Sequence, residues 1–232
     1  MGRQLAVLIP SRGRPQRVAE TVAAYAKTCL GDYQICWAFD DDDPELEANK
    51  AAAGTGPWGG KSYIWTGPRN TLAGWTNVMW RELEGEFGYF GSFGDDHLPV
   101  THGWDTRLTA VLEAKGGGFA YCDNGQPAVN YPEMCVISAP VCSALGYVAE
   151  PSMRHYCIDV VWMELGEAAG CLYYLPDVIV RHRHWAFGLG PRDDTYWEAA
   201  ERGREDVLAH EKWKAERMDA DVARVLSAVV QP

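Results

Sequence analysis

Short apolar runs alternate with amphipathic segments along the first part of the chain. Val18, Val22 and Tyr25 recur at four- and three-residue spacing behind Pro15, which is typical of a helix with one buried face. Strand signals lie at 5–10, 33–39, 63–65 and 87–93, helix signals at 15–30 and 70–86, and a Gly-rich loop signal at 51–60. This alternation of strands and helices predicts an α/β fold with a largely parallel sheet.

The second half of the chain mixes both kinds of signal. Helix signals lie at 105–114, 141–145 and 157–170, and strand signals at 118–124, 133–138 and 171–185. From Asp193 the chain becomes strongly charged, with Trp197 and Trp213 available to dock on a core. Since no repeat or long linker marks a boundary, we expect one domain over 1–190 and a C-terminal helical extension over 191–232 packed on it.

Composition and charge narrow the class of protein. Of the 232 residues, 47% are hydrophobic and 23% charged, which excludes a disordered chain and a coiled coil. No apolar run reaches the ~18 residues of a membrane span, so we expect no membrane insertion. The net charge of −11 disfavours nonspecific binding to nucleic acid or anionic lipid. The seven cysteines are scattered along the chain, which is typical of a protein in a reducing compartment. We interpret the N-terminal apolar run as a core strand and not as a signal peptide, so we expect the protein in the cytoplasm.

The end of the first predicted strand carries a candidate anion site. Ser11, Arg12 and Arg14 follow Pro10 just ahead of a predicted helix N-terminus. Small residues, free amide groups and two guanidinium groups suit an anion or a nucleotide. An ordinary strand-to-helix turn with solvated arginines is the alternative.

Acidic clusters follow two further strands. In the four-aspartate run at 40–43, Asp40 or Asp42 could hydrogen-bond a ribose or a base edge, or Asp42 or Asp43 could cap a helix beginning at Pro44. The later run at 94–97 could supply the oxygen ligands that Mg²⁺ or Mn²⁺ needs beside a diphosphate. A structural turn is the alternative for that run.

Two more features carry candidate chemistry. His182 and His184 lie two residues apart on a predicted strand, so they share a face, and imidazole is a suitable ligand for Mn²⁺; two surface histidines on an edge strand are the alternative. Asp159 begins an apolar helix, where it could act as an N-cap or as a general base. Trp104, Tyr156 and Trp185 could pack against a sugar face or, more simply, belong to the core.

The order of these motifs resembles the GT-A fold glycosyltransferases, and more narrowly the family-2-like enzymes, including short bacterial and phage members. The motifs are VLIPSRGRP, FDDDD, GWTN, FGDDHLP followed by GWD, HxxxD and PDVIVRHRHW, which together span about residues 5–185. The resemblance implies a single Rossmann-like domain with a central, mostly parallel sheet flanked by helices. It also implies an enzyme of the hexosyltransferase type that uses a nucleotide-diphosphate sugar, with UDP as the commonest nucleotide.

The resemblance also assigns roles to residues. GDD occupies the position of the DxD motif, with Asp96 at its metal-binding end and Gly94 in place of the first Asp. Asp159 matches the catalytic base of an inverting mechanism, and either His182 or His184 matches the late metal ligand, with His184 slightly favoured. The metal would be Mn²⁺ or Mg²⁺. Residues assigned to the donor are Pro10, Ser11, Arg12, Arg14, Asp40, Asp42, Arg69, Asn77 and Asp95.

Three other functions remain open from the sequence. A metal-dependent hydrolase could use the same aspartates and histidines, and a nucleotidyltransferase acting on sugar phosphates uses a similar sheet but normally carries a lysine in its phosphate loop. A noncatalytic nucleotide-sugar binding module would need no base. The acceptor is equally open, between a protein side chain, a glycan, a lipid-linked sugar and a hydroxylated DNA base.

Overall fold

A computed structural model describes residues 3–54, 62–126, 131–189 and 194–230 of the chain. The strands are β1 (Arg3–Pro10), β2 (Tyr33–Asp40), β3 (Tyr63–Gly67), β4 (Phe87–Ser92), β5 (His97–Pro99), β6 (Phe119–Asp123), β7 (Cys135–Ser138) and β8 (Leu172–His182). The helices are α1 (Pro15–Thr28), α2 (Leu46–Ala53), α3 (Leu72–Leu83), α4 (Trp104–Ala114), α5 (Ala139–Leu145), α6 (Ile158–Ala168), α7 (Asp194–Glu216) and α8 (Met218–Ala228).

The strands form a single sheet in the order β3-β2-β1-β4-β7-β6-β8-β5. β3, β2, β1 and β4 run parallel, β7 runs antiparallel to both of its neighbours, and β8 is parallel to β6. The predicted α/β class and mostly parallel sheet are therefore confirmed. Because β1, β2 and β4 are parallel, the loops that follow them meet at one edge of the sheet, where ligands bind in such folds.

Hydrophobic cores cover both faces of the sheet. Ala6 and Leu8 of β1 point into one core, which α3, α5 and α6 cover. Leu5 and Val7 point into the other, which α1 and α4 cover. A strand buried on both faces is a nearly continuous apolar run, as β1 is. On the first face, Trp213 of the charged C-terminal segment is buried in the core.

Some local expectations differ from the structure. Residues 51–53 of the predicted loop form the last turn of α2, and 55–61 lie outside the described residues. β8 ends at His182, so His184 lies beyond the strand, where its side chain caps a short 3₁₀ turn at Trp185–Phe187. Trp104 is fully buried and therefore belongs to the core. In the described part of the chain, no helix has the length and apolar character needed to cross a membrane.

Candidate functional site

A cleft of about 750 Å³ opens where the loops after β1, β2 and β4 meet. This volume is in the range of small-molecule binding sites. All of the residues assigned from the sequence to the donor, the metal and the base line it, apart from Asp42 and Asn77. The structure therefore brings together side chains from strand ends that are far apart in the sequence.

Asp95 forms hydrogen bonds with two residues of the loop between β1 and α1. One carboxylate oxygen of Asp95 accepts a hydrogen bond from the Ser11 hydroxyl at 2.6 Å, and the other accepts one from the Arg14 guanidinium at 2.9 Å. Burial raises the pKa of Asp95, although the charge of Arg14 opposes the shift. Since both of its oxygens accept hydrogen bonds, Asp95 fixes the positions of Ser11 and Arg14 in the loop between β1 and α1.

The end of β2 is organised by Asp40 and Asp43. Asp40 is buried and accepts hydrogen bonds from the Trp75 indole at 2.7 Å and the Asn70 backbone N–H at 3.0 Å. Asp43 accepts the Gly13 N–H at 2.9 Å and the Glu45 N–H at 2.9 Å. Asp43 thereby closes the turn before α2, which begins at Leu46 and not at Pro44. The two aspartates tie three loops of the cleft together.

Asp42 and Asn77 do not line the cleft. Asp42 is exposed and pairs with the Arg12 guanidinium, which also contacts Asp40 at 3.2 Å. The Asn77 side chain donates to the Ala149 carbonyl at 2.6 Å and accepts the N–H groups of Val148 and Ala149. Asn77 therefore holds the segment after α5, with its side-chain amide already hydrogen-bonded there.

The side chains of Asp96 and His182 face each other across the cleft floor. His182 Nε2 lies 3.4 Å from Asp96 Oδ2, and His182 Nδ1 lies 2.8 Å from a carboxylate oxygen of Glu133. Burial disfavours the charge on His182, but hydrogen bonds to Asp96 and Glu133 outweigh burial and raise its pKa to about 9. Arg17 lies 3.5 Å from the same Asp96 oxygen.

Within the described ranges, Asp96, His97 and His182 form one group whose ligand atoms lie within 4.8 Å of one another. Their hydrogen bonds distinguish the imidazoles. Both His182 nitrogens can donate here, Nδ1 to Glu133 and Nε2 to Asp96; loss of the Nε2 proton, with the Nδ1–H kept on Glu133, would free the Nε2 lone pair for a metal ion. His97 Nδ1 instead accepts the Gly94 N–H at 2.9 Å, which places the proton of the neutral ring on Nε2 and makes His97 the less suited of the two histidines as a ligand. His184 Nδ1 likewise accepts the Ala186 N–H at 3.2 Å.

Asp96 has room for its carboxylate because residue 94 is glycine. A Cβ added to Gly94 would lie 2.6 Å from Asp96 Oδ1, well inside contact distance. We expect Gly94→Ala to push the carboxylate away from His182 and to weaken the binding of a divalent cation at Asp96, tested with Mn²⁺, about 10–100-fold, the range seen when the support of a metal ligand is removed.

Gly54→Ala is the matched control for that substitution, because a Cβ on Gly54 would meet its nearest neighbour at 3.5 Å, an ordinary contact distance. Mn²⁺ affinity measured by calorimetry on both variants checks the expectation. Equal affinity in Gly94→Ala and the wild type would contradict it.

Asp159 is the second residue of α6, behind Cys157, which has a left-handed backbone with φ of 65°. It is therefore not the N-cap, and its carboxylate accepts the Val160 N–H at 2.9 Å. Burial raises the pKa of Asp159, the Val160 N–H lowers it, and the nearby charge of Glu133 raises it again. A carboxyl group with a raised pKa at the wall of a cleft is suited to accepting a proton.

Several cleft residues were not predicted from the sequence. His97 directly follows the acidic pair in GDDH, so adjacency was an available signal. Glu133 had no local signal in the sequence. It lies just before β7, and the pairing of β7 with β6 and of β6 with β8 brings it close to His182 at the end of β8. His155 is the first residue of the HxxxD motif, but the resemblance gave a role only to its aspartate, and Arg154 before it belongs to no motif. Tyr156, for which the sequence favoured core packing over stacking against a sugar, lines the cleft and is 39% exposed.

No protein-family model and no curated protein matches the sequence, but solved structures do. The mannosyltransferase PcManGT from Pyrobaculum calidifontis in complex with GDP-Man and Mn²⁺ matches with a TM-score of 0.63 and 11% identity, over 98% of this chain and 74% of the other. Residues 1–349 of S. aureus TarS match in complex with UDP (TM-score 0.55, 10% identity, 77% of this chain) and with UDP-GlcNAc (0.58, 11%, 96%).

This chain spans 60% of the TarS chain solved with UDP and 70% of the one solved with UDP-GlcNAc. At 10–11% identity the likeness concerns the fold alone, and the predicted GT-A-like fold is confirmed. The chain has a GT-A-like glycosyltransferase fold.

Proposed function

We propose that this chain is a metal-dependent glycosyltransferase that moves a sugar from a nucleotide-diphosphate sugar to an acceptor hydroxyl with inversion. The observation that carries the proposal is the pairing of Asp96 with a His182 that Glu133 holds in orientation, in the same cleft as Asp159. Carboxylate and imidazole together suit Mn²⁺. A divalent cation bound there would neutralise charge on the diphosphate leaving group.

Other residues of the cleft would bind the donor and accept the proton of the acceptor. Arg12, Arg14 and Arg69 would contact the diphosphate through charge-assisted hydrogen bonds, while Pro10, Ser11 and Asp40 border the nucleoside end. Asp159 would take the proton of the acceptor hydroxyl. That oxygen would then bond to the anomeric carbon as the bond from carbon to the diphosphate oxygen breaks, and attack from the opposite face inverts the centre.

UDP is the proposed donor nucleotide, supported by the neighbours solved with UDP and UDP-GlcNAc. The neighbour with GDP-Man makes GDP the alternative. Incubation of the protein with Mn²⁺ and either a UDP-sugar or a GDP-sugar tests both donors. Because the acceptor is unknown, the assay relies on slow transfer of the sugar to water. We expect release of a nucleoside diphosphate and free sugar. Release of a nucleoside monophosphate would point to a hydrolase, and pyrophosphate-dependent formation of a triphosphate to a nucleotidyltransferase.

The hydrogen bonds of the histidines make His182, and not the His184 favoured by the sequence, the proposed metal ligand. We expect His182→Gln to weaken Mn²⁺ binding more than about 100-fold, and Glu133→Gln to weaken it about 10–100-fold through loss of the charge behind the imidazole. His184→Gln serves as the matched control and should change Mn²⁺ affinity by less than about threefold. Calorimetric titration with Mn²⁺ measures all three, and the reverse order for the two histidines would restore His184 as the ligand.

A further inference from the structure

The loop at 154–156 forms one wall of the cleft and leads into α6. Arg154, His155 and Tyr156 all line the cleft, and the chain passes from them through Cys157 into the helix that carries Asp159. This loop contains no regular helix or strand, so its path must be fixed by contacts with another part of the chain. The backbone conformation of this loop therefore determines the positions of the side chains next to Asp159, the proposed base.

The carboxylate of Asp206, on α7, binds the backbone of this loop. One oxygen accepts the Arg154 N–H at 2.8 Å, and the other accepts the N–H groups of His155 at 3.0 Å and Tyr156 at 2.8 Å. Asp206 is 1% exposed and does not line the cleft. Hydrogen bonds to an ionised group are stronger than neutral ones, and three main-chain donors on one carboxylate fix the course of the backbone.

Two neighbours of Asp206 on α7 contact the same loop through its side chains. Glu205 pairs with Arg154 at 3.4 Å. Gly203 lies against the ring of Tyr156, where an added Cβ would come within 3.2 Å of two ring carbons. The C-terminal helix therefore contacts all three residues of the loop, and its glycine leaves room for the tyrosine ring.

We propose that Asp206 is a positioning residue for glycosyl transfer, which acts by holding the 154–156 loop and the start of α6 so that Asp159 meets the acceptor hydroxyl in reacting geometry. The inference rests on the proposed function and adds the C-terminal helix to the support of the active site. A misplacement of about 1 Å in such support can cost up to about 100-fold in rate.

Asp206→Asn tests the proposal, because an amide keeps the size of the side chain but loses the charge and one acceptor oxygen. Hydrogen exchange of the 154–156 amides should accelerate at least about tenfold as their hydrogen bonds weaken. The kcat for donor turnover should fall about 10–100-fold. The KM for the donor and the affinity for the nucleoside diphosphate with Mn²⁺ should stay within about twofold, because Asp206 hydrogen-bonds neither the proposed metal ligands nor the arginines proposed to contact the diphosphate.

His210→Gln is the control for general loosening of α7, since His210 contacts Glu164 of α6 at 2.9 Å and no residue of the loop. It should leave exchange and turnover at wild-type values. Gly203→Ala is a second variant, in case Asp206→Asn does not fold. Alanine favours the helix over glycine, but the new methyl group lies 3.2 Å from two carbons of the Tyr156 ring, so the ring must shift by a few tenths of an ångström and kcat should fall in a folded protein.

Wild-type exchange and turnover in a folded Asp206→Asn protein would overturn the proposal, as would an equal loss in His210→Gln. If Asp206→Asn does not fold, wild-type turnover in Gly203→Ala would overturn it. If the wild-type protein turns over no donor, the proposed glycosyltransferase function is wrong. The exchange rates then still decide whether Asp206 holds the loop.

Discussion

Asp159→Asn is expected to lose turnover by about 10²–10⁴-fold, the usual contribution of a general base, while nucleotide binding survives. The amide has almost the shape of the carboxylate and can still accept the Val160 N–H, so the start of α6 should stay folded. It cannot accept the proton of the acceptor hydroxyl. The raised pKa of the Asp159 carboxyl, caused first by burial, makes the group a better proton acceptor than an exposed aspartate.

The matched control for this loss is Asp219→Asn, because Asp219 is also the second residue of a helix, α8, but is exposed and is not among the residues that line the cleft. Donor turnover and nucleotide affinity measured on both variants separate chemistry from binding. A loss of nucleotide binding equal to the loss of turnover would mean that Asp159 supports the donor and is not the base.

Asp96→Asn is expected to abolish the dependence of nucleotide binding on Mn²⁺. Asp96 supplies the only carboxylate in the group of potential metal ligands found among the described residues, and hard oxygen ligands carry most of the affinity for Mn²⁺. Removal of a direct ligand should cost more than the 10–100-fold typical of its supporting partners, so we expect a loss of Mn²⁺ affinity of at least about 100-fold.

Asp123→Asn is the control for the Asp96 variant. Asp123 also ends a strand, β6, and its oxygens bind the Gly125 N–H and the Tyr174 hydroxyl outside the cleft. Titration of Mn²⁺ and of the nucleotide into each variant gives both affinities. Wild-type Mn²⁺ affinity in Asp96→Asn would remove Asp96 from the metal site and assign Mn²⁺ binding to other residues.

The parts of the fold that depend on local patterns were predictable from the sequence. The spacing of Val18, Val22 and Tyr25 predicted the face of α1 that is buried, and the apolar run of β1 reflects burial on both faces of the sheet. The rule that loops meet at the carboxyl ends of parallel strands was enough to place Asp40 and the 94–97 turn in one cleft.

The roles that depend on tertiary contacts could not be predicted. Nothing near Glu133 in the sequence indicates His182 as its partner. The two residues meet only because β7 is inserted as an antiparallel strand in the sheet, and strand order cannot be read from local patterns. The spacing of His182 and His184 could not rank them as metal ligands, since the ranking proposed here depends on what each Nδ1 contacts. Asp206 lies in a charged helix where one buried carboxylate has no distinctive pattern.

The central claim is that Asp96 and His182 bind a divalent cation that holds a nucleoside diphosphate in this cleft. Calorimetric titration of UDP and of GDP into the wild-type protein, with Mn²⁺ and again with a chelator, tests it most directly. We predict saturable binding of one nucleotide, UDP by preference, which the chelator abolishes. No binding of either nucleotide with Mn²⁺ present, or binding that the chelator leaves unchanged, would contradict the account.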